Sequence, residues 1–234
     1  MADPSVSAVV PVRNGLNFLG EALDSVARQT FPPEEVIVVD DGSTDGSAEI
    51  ARARSAQVIP NDGSGVSAAR NAGIAASRGE VIAFLDHDDL WEPHKLERQV
   101  ACLAARQELA FVWSRARVQV EPGTERPDWV REDFVTGRGH AVPTPSSLAV
   151  RREAFARVGA FATNLAMAED LDWILRVRDA GMQSAIVDEV LVRYRIHGGN
   201  TTVANPVNPA PYLSVLRSSV ARRRAGAGGR SHVG

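Results

Sequence analysis

Residues 81–89 read VIAFLDHDD, an apolar run that ends in three carboxylates within four positions. Five consecutive apolar residues are typical of a short strand that is buried on both faces of a parallel sheet. In open sheets built from alternating strands and helices, ligands bind beyond the carboxyl ends of the strands. The stretch therefore predicts a central strand with a polar site at its end.

Two earlier apolar stretches end in the same way. Residues 6–12 read VSAVVPV and lead into Arg13, and residues 36–39 read VIVV and lead into Asp40-Asp41. Helical patterns follow these strands, which predicts right-handed crossovers and a parallel sheet over the first hundred residues. Because the carboxyl ends of parallel strands lie at one edge of a sheet, we expect the three polar clusters to converge there.

The second half of the chain has a different pattern. Residues 109–120 indicate one or two strands, and residues 121–145 are rich in proline, glycine and charge, which indicates a long loop. A glycine follows each of two helical patterns, which are therefore predicted to end there. The helices are predicted over 151–158 and 169–180.

Strands are predicted over 185–187 and 190–196, near the end of the folded part of the chain. From Arg222 onward the residues are mainly arginine, glycine and alanine with little apolar content. This composition predicts a solvated, disordered tail. Contact of the basic tail with anionic lipid is the alternative interpretation.

The composition excludes several classes of protein. Of the 234 residues 44% are hydrophobic, so the chain can bury a sizeable core, and a net charge of -3 gives no reason to expect nucleic-acid binding. A single cysteine cannot form an intramolecular disulfide. We expect no signal peptide, and no run approaches the ~18 apolar residues of a membrane-spanning helix. A cytoplasmic protein is expected, with at most peripheral contact to the inner face of a membrane.

The acidic cluster at residues 86–89 has the chemistry of a metal-diphosphate site. Carboxylates this close repel one another unless a cation is present. A hard divalent cation such as Mg²⁺ or Mn²⁺ prefers oxygen ligands and takes further ligands from water and substrate phosphates. We assign this role to Asp86 and Asp88, and we interpret Asp89 as a cap for the helix that follows Pro93.

For four further residues a functional and a structural role both stay open. Asp41, beside Asp40, accepts a hydrogen bond from a base or ribose, or only caps its loop. Arg70, early in a predicted helix, faces an anion or is an exposed structural arginine. Asp170 begins a helix, so it is a general base or a charge that complements the helix dipole. His197 follows a strand beside two glycines, which favours contact with a ligand or phosphate.

Taken together, these segments resemble the family 2 glycosyltransferases of the A-type fold. The resemblance covers residues 6–200 and keeps the family's order and spacing. It implies an α/β, Rossmann-like nucleotide-diphospho-sugar transferase fold with a mixed, mostly parallel central sheet flanked by helices. The segments that carry it are VVPVRN (9–14), VDDGSTD (39–45), GVSAARNAG (65–73), FLDHDD (84–89), AED (168–170) and YRIH (194–197).

The first segments imply the donor site. Pro11 and Arg13 match the first-strand segment that lines the nucleotide in the family. Asp41 matches the carboxylate that contacts the base, with Asp40 as its neighbour. Arg70 matches a basic residue near the nucleotide.

The later segments imply the metal site and the base. Asp86 and Asp88 match the ends of the Asp-X-Asp motif, whose second aspartate binds the metal in the family. His87 fills the variable middle position of the motif and is expected to contact the donor. His197 matches a late histidine near the diphosphate or acceptor, and Asp86 and His197 are further candidate ligands of the Mg²⁺ or Mn²⁺ ion. Asp170 matches the catalytic base of the inverting mechanism.

The resemblance also implies the reaction and the domain organisation. An inverting transferase is expected to move a sugar from a UDP- or dTDP-sugar to an acceptor hydroxyl, in the synthesis of cell-envelope polysaccharide or a glycoconjugate. The Gln-X-X-Arg-Trp motif of processive synthases is missing, so a non-processive enzyme is expected. One domain spans 1–204, with a donor half to about 105 and an acceptor half after it, and 205–234 is an extension whose end is expected to be disordered.

Two other functions remain as alternatives. A sugar nucleotidyltransferase on a similar sheet needs a glycine-rich segment with arginine and lysine after the first strand, and residues 13–17 carry no lysine. A non-catalytic module that binds a nucleotide sugar is expected to have lost its base, whereas Asp170 is present.

Overall fold

The computed structural model describes residues 3–200 and 209–228. Within these residues eight strands form one sheet. The strands are β1 (Val6–Val12), β2 (Glu35–Asp40), β3 (Gln57–Pro60), β4 (Val81–Phe84), β5 (Leu90–Trp91), β6 (Leu109–Val120), β7 (Leu148–Arg151) and β8 (Gln183–Ile196). The helices are α1 (Leu19–Ala27), α2 (Ser47–Ala53), α3 (Val66–Ala76), α4 (Lys95–Ala105), α5 (Glu132–Val135), α6 (Arg152–Val158), α7 (Glu169–Asp179) and α8 (Ala210–Gly228).

The sheet is mixed, as the sequence predicts. Its strand order is β3-β2-β1-β4-β7-β6-β8-β5. The first four strands in this order are parallel, and so are β6 and β8, whereas β7 and β5 run antiparallel to their neighbours. The parallel half carries helical crossovers, because parallel neighbours cannot be joined by a tight turn.

Both faces of the sheet are buried, which explains the uninterrupted apolar strands. Val10 packs into one core with helices α1 and α4, while its neighbour Val9 packs into a second core with α3, α6 and α7. Helix α3 approaches the sheet so closely that a Cβ on Gly73 would lie 2.3 Å from Val9 Cγ1. A glycine is required there, and the close approach brings the first turn of α3 over the strand ends.

One edge of the sheet carries the carboxyl ends of its parallel strands. β1, β2 and β4 end there because they are parallel. β7 is antiparallel to both β4 and β6, so β6 and its parallel neighbour β8 run in the same direction as β4 and end at the same edge. β7 runs antiparallel to β4 and therefore begins there, directly after a 3₁₀ turn at Pro145–Ser147. The predicted convergence of strand ends is confirmed. The 3₁₀ turn lies at the same edge of the sheet.

Several predicted elements differ in extent. The strands predicted at 185–187 and 190–196 form one strand, whose register against β6 shifts at bulges, and residues 109–120 form a single strand. The helix predicted from 151 begins one residue later, because Leu148–Arg151 pairs with β4 as strand β7.

The prediction of a disordered tail from Arg222 is wrong as far as Gly228. Helix α8 continues to that residue, and Arg222 Nε donates to Asp179 Oδ2 on α7 at 3.0 Å. Val215 packs in a small apolar cluster between the two helices. The expected disordered end lies, from residue 229 on, outside the described residues. No helix in 3–200 or 209–228 is long and apolar enough to cross a membrane.

Candidate active site at the carboxyl edge of the sheet

The loops after β1 and β2 are fixed to each other. Asn14 has a positive φ of 52°, and its Oδ1 accepts a hydrogen bond from the Thr44 N–H at 2.9 Å. The Asn14 N–H donates to Ser43 Oγ at 3.0 Å. Asp40 Oδ1 accepts the Ser43 N–H at 2.8 Å, so Asp40 caps its own loop. These bonds give the edge of the sheet a defined shape.

Asp41 connects the loop after β2 with the segment that precedes α3. Its two carboxylate oxygens accept hydrogen bonds from Asn61 Nδ2 at 2.6 Å and from the Gly65 N–H at 3.0 Å. Arg13 Nη1 lies 4.0 Å from Asp41 Oδ2, and the Arg13 side chain is 66% exposed. Pro11 is buried in β1 opposite Val39. The structure therefore brings Arg13 and Asp41 together, with the arginine free to turn toward a ligand.

A buried arginine joins the acidic loop to helix α7. Arg70 Nη2 donates to Asp86 Oδ1 at 2.7 Å, and Arg70 Nη1 donates to Glu169 Oε1 at 2.7 Å. Only 4% of the Arg70 side chain is exposed. The interpretation of Arg70 as an exposed structural arginine is therefore wrong. Both terminal nitrogens of Arg70 are hydrogen-bonded to carboxylates, so Arg70 connects Asp86 with α7.

Asp170 follows Glu169 in the first turn of α7. The preceding residue, Ala168, has a positive φ of 65°, which turns the chain sharply into the helix. Burial raises the pKa of Asp170 to about 6, and the negative charge of Glu169 adds to this rise. The Leu171 N–H donates to Asp170 Oδ1 at 2.7 Å and opposes it. Asp170 is therefore ionised at neutral pH and is more basic than an ordinary aspartate.

Asp88 and His197 face each other across the edge of the sheet. His197 Nε2 lies 3.1 Å from Asp88 Oδ2, and Asn200 Nδ2 donates to the same oxygen at 3.0 Å. The Phe18 ring lies 4.3 Å from the imidazole, centroid to centroid. Burial opposes ionisation of Asp88, but the hydrogen bond from His197 lowers the pKa of Asp88 overall. The Gly199 N–H donates to His197 Nδ1, which leaves Nε2 to carry the proton toward Asp88.

The donor atoms of Asp88 and His197 fit a divalent cation as a partial ligand set. A carboxylate oxygen suits Mg²⁺ or Mn²⁺, and His197 Nε2 can become a second ligand once it releases the proton that it shares with Asp88, with substrate phosphates and water completing the shell. Asp86 instead directs one oxygen to Arg70. In the described ranges, 3–200 and 209–228, no three His, Cys, Asp or Glu side chains are grouped closely enough to hold a metal by themselves.

Asp89 does not cap the following helix, contrary to the prediction. Helix α4 begins at Lys95, and Asp89 is 2% exposed beneath the edge of the sheet. Its Oδ2 accepts the Ser146 hydroxyl at 2.6 Å, and its Oδ1 accepts the Arg195 N–H at 3.0 Å. Burial raises the pKa of Asp89 well above its ordinary value, and the charges of Asp88 and Asp86 add to the rise.

His87 packs on the loop after β1. A Cβ on Gly15 would lie 2.7 Å from His87 Cδ2, so only a glycine leaves room for the ring. This contact fixes His87 between the ends of β1 and β4.

Four residues of the site were not singled out from the sequence. Glu169 and Asn200 lie beside Asp170 and His197, and their roles follow from partners far away in the chain, Arg70 and Asp88. Phe18 lies within a helical pattern and Ser146 follows the predicted loop, and neither carries a local signal of a site. Only their contacts with Asp89 and His197 identify them.

Comparison with known protein families and curated sequences gives consistent matches. The family model described as glycosyl transferase family 2 matches residues 7–159. An uncharacterized glycosyltransferase of Rickettsia typhi is 30% identical over 213 residues, which are 85% of this chain and 66% of the relative. The putative teichuronic acid biosynthesis glycosyltransferase TuaG of Bacillus subtilis is 34% identical over 127 residues, 52% of this chain and 50% of TuaG. The chain thus spans about half to two thirds of these relatives.

Two solved structures resemble the chain. S. aureus TarS 1-349 in complex with UDP-GlcNAc matches with a TM-score of 0.70 at 22% identity, over 93% of this chain and 66% of that chain. The mannosyltransferase PcManGT from Pyrobaculum calidifontis, in complex with GDP-Man and Mn²⁺, matches with a TM-score of 0.68 at 20% identity, over 100% of this chain and 77% of that chain. At these identities the likeness shows the fold alone, which is the GT-A fold expected from the sequence.

Proposed function

The chain belongs to glycosyl transferase family 2, and we propose that it transfers a sugar from a nucleoside-diphosphate donor to an acceptor hydroxyl with inversion at the anomeric carbon. The observation that carries the proposal is the Arg70 bridge between Asp86 and Glu169. It joins the strand-end acidic loop to the helix that bears Asp170. The bridge supports the proposal because it brings the acidic loop, which is the proposed donor site, close to Asp170, which is the proposed base.

The nucleoside occupies the region between the loops after β1 and β2. Asp41 is 10% exposed and keeps unused lone pairs on both oxygens, so it can accept an N–H from the base. Arg13 is free to turn over the nucleoside or its phosphates. UDP- or dTDP-sugars are the proposed donors, and the donor half extends to about residue 105.

The diphosphate lies between Asp86, Asp88 and His197. Asp88 and His197 would hold Mg²⁺ or Mn²⁺, which when bound neutralises the charge that develops on the departing diphosphate. The Mn²⁺ complex of PcManGT supports a divalent ion in this fold. Arg70 holds Asp86 in place through its hydrogen bond. His87, packed on Gly15, borders the donor on the side of β1.

Asp170 acts as the general base. Its carboxylate takes the proton of the acceptor hydroxyl while that oxygen forms a bond to the anomeric carbon. The bond from the anomeric carbon to the phosphate oxygen breaks at the same time, and its electron pair leaves with the nucleoside diphosphate. Because the acceptor attacks opposite to the leaving group, the configuration inverts. A base pKa near 6 combines ionisation at neutral pH with the basicity that proton transfer needs.

The acceptor is a hydroxyl of a growing saccharide or glycoconjugate, added in a non-processive manner. TuaG, a relative over half of this chain, is a putative teichuronic acid biosynthesis enzyme. The acceptor half consists of the elements after α4 up to about residue 204. Helix α8 borders it, since Val215 of α8 packs in one apolar cluster with Leu171 and Leu175 of α7.

Peripheral contact with an anionic membrane is part of the proposal. Helix α8 exposes Leu213, Leu216 and Val220 on the face turned away from α7, and Arg217 and Arg224 line the same surface. Residues 209–228 carry four arginines and no acidic residue. An apolar surface with arginines at its border complements anionic lipid, whereas a second copy of α8 would bring like charges together.

The experiment is a screen of donors and products. The protein is incubated with UDP-, dTDP- and GDP-sugars, and released nucleoside diphosphate is measured with and without saccharide acceptors. Release that increases with acceptor supports a transferase. Donor binding without any release would instead fit a non-catalytic module. Formation of a nucleotide sugar from a sugar phosphate and a nucleoside triphosphate would identify a nucleotidyltransferase.

A further inference from the structure

Asp89 is the most deeply buried carboxylate at the edge of the sheet, with 2% exposure. A buried carboxylate is costly unless hydrogen bonds satisfy it, and an apolar side chain would fill the same space at lower cost. The two hydrogen bonds of Asp89 reach residues that are 57 and 106 positions away in the chain, Ser146 and Arg195. This acid therefore links three separate segments of the fold.

Ser146 is the second part of the link. The Ser146 hydroxyl donates to Asp89 Oδ2 at 2.6 Å, and Ser146 Oγ accepts the Asp86 N–H at 3.0 Å. The Ser146 carbonyl accepts Trp91 Nε1–H at 2.9 Å, which fixes the 3₁₀ turn. One hydroxyl thus holds both ends of the acidic loop, Asp86 and Asp89.

The third segment is the end of β8. The Arg195 N–H donates to Asp89 Oδ1, and Arg195 lies two residues before His197. Asp89 itself follows Asp88 directly. Two hydrogen bonds therefore connect Ser146, Asp89 and Arg195. They tie together the backbone segments that carry Asp88 and His197.

We propose that Asp89 and Ser146 are positioning residues that hold Asp88 and His197 at the separation a bound divalent cation requires. The link acts through the backbone, and neither side chain contacts the ion. This inference rests on the proposed metal site and names two residues that set its geometry. Partners outside the ligand shell that orient metal ligands commonly change metal affinity by about 10–100-fold when they are removed.

The experiment compares Ser146→Ala with Ser114→Ala in the full-length chain. Both serines are fully buried, but the Ser114 hydroxyl has no hydrogen-bond partner among the described residues, so its removal is a matched control. Affinity for Mn²⁺ alone is measured from the free-ion signal in electron paramagnetic resonance. We expect Ser146→Ala to weaken Mn²⁺ binding about tenfold and Ser114→Ala to leave it unchanged. Equal affinities in wild type and Ser146→Ala would overturn the proposal.

Two variants at position 89 separate positioning from charge. Asp89→Asn keeps an acceptor for the Arg195 N–H and offers an N–H to the Ser146 hydroxyl, so we expect it to bind Mn²⁺ nearly as wild type does. Asp89→Ala loses both bonds and is expected to resemble Ser146→Ala. Equal losses in Asp89→Asn and Asp89→Ala would mean that the carboxylate charge acts directly, which contradicts a positioning role.

Amide hydrogen exchange tests the link without any metal. Ser146→Ala is expected to speed exchange at Arg195, which Ser146 does not touch, whereas Ser114→Ala leaves it unchanged. Unchanged protection of Arg195 in Ser146→Ala would refute the link. If the wild-type protein binds no Mn²⁺, the metal part of the proposed function fails, and the exchange rates still decide whether the link exists.

Discussion

Arg70 Nη1 and Glu169 Oε1 lie 2.7 Å apart, in a buried ion pair between α3 and the first turn of α7. The same guanidinium holds Asp86 through its other terminal nitrogen. The acidic loop and the helix that bears Asp170 therefore share one cation. In the proposed mechanism, the distance between donor and base depends on this residue.

Arg70→Lys should lower the rate of transfer at least tenfold, because one ammonium group cannot reproduce the two-sided geometry of the guanidinium. We expect kcat to fall more than the donor KM rises. Arg70→Met leaves two carboxylates without their cation and should lower the free energy of unfolding by about 3 kcal/mol. Arg78→Lys is the control, since Arg78 pairs with Glu35 but is 71% exposed. Steady-state kinetics and urea denaturation measure both effects, and equal effects of the two lysine variants would contradict the bridge.

The rate of transfer should depend on the ionisation of Asp170. The pKa of this carboxyl is raised to about 6, and only the ionised form accepts the acceptor's proton. Activity is therefore low below this pKa, rises as the pH passes through it, and levels off above. Because the Glu169 charge contributes to the rise, Glu169→Gln should move the limb of the profile to lower pH. A kcat/KM profile without an acidic limb in this region would exclude Asp170 as the base.

His197→Ala should weaken binding of Mn²⁺ at least tenfold, because it removes one of the two proposed metal ligands, which face each other. His94→Ala is the matched control, since His94 is an exposed histidine that pairs with Glu97 on α4. Titration of each variant with Mn²⁺ measures the effect. Equal affinities in the two variants would remove His197 from the proposed ligand set.

Binding to vesicles should depend on the exposed face of α8. The double variant Leu213→Ser with Leu216→Ser is expected to lose flotation with phosphatidylcholine vesicles that contain phosphatidylglycerol. Val142→Ser removes an apolar side chain elsewhere that is even more exposed, at 64% against 48% and 44%, and should have no effect. Pure phosphatidylcholine should bind neither protein. Binding that is the same with and without phosphatidylglycerol would contradict the role of the arginines.

The inner face of α8 should contribute to stability. Val215 is buried against α7, so Val215→Ala is expected to lower the free energy of unfolding by about 1–2 kcal/mol. Val142 is 64% exposed, and Val142→Ala should change stability by less than about 0.5 kcal/mol. Chemical denaturation distinguishes the two. A neutral Val215→Ala would mean that α8 does not pack on α7 in solution.

The parts of the fold that could be predicted are those with a local signal. Strands β1, β2 and β4 are apolar runs because both faces of the sheet are covered, and their polar ends follow directly in sequence. Strand β7 has only four residues and follows a serine- and proline-rich segment, so no local pattern predicts its pairing with β4 and β6.

Helix α8 has no single apolar stripe, which explains why a disordered tail was predicted. Its buried face mixes Tyr212 and Val215 with Ser219 and Arg222, and the two polar residues bond to Asp179. Such a face resembles a solvated segment when it is considered without its partner.

The site follows the same rule. The resemblance gave Asp88, Asp170 and His197 as candidates because each lies in a short motif, and their roles remain predictions. The sequence favours a helix cap at Asp89 because Pro93 and a helix lie nearby, whereas its partners, Ser146 and Arg195, are distant in sequence. Long-range hydrogen bonds leave no periodic or compositional signal.

The most direct test of the account is the Asp170→Asn variant, measured for donor binding and for transfer with a donor that the wild-type protein uses. Asparagine keeps the size of the side chain and cannot accept the acceptor's proton. We expect unchanged donor affinity and a rate of transfer lowered by about 10²–10⁴-fold, whereas Glu153→Gln, in the first turn of α6, retains full activity. Full transfer activity in Asp170→Asn would contradict the assignment of Asp170 as the base, and with it the proposed mechanism.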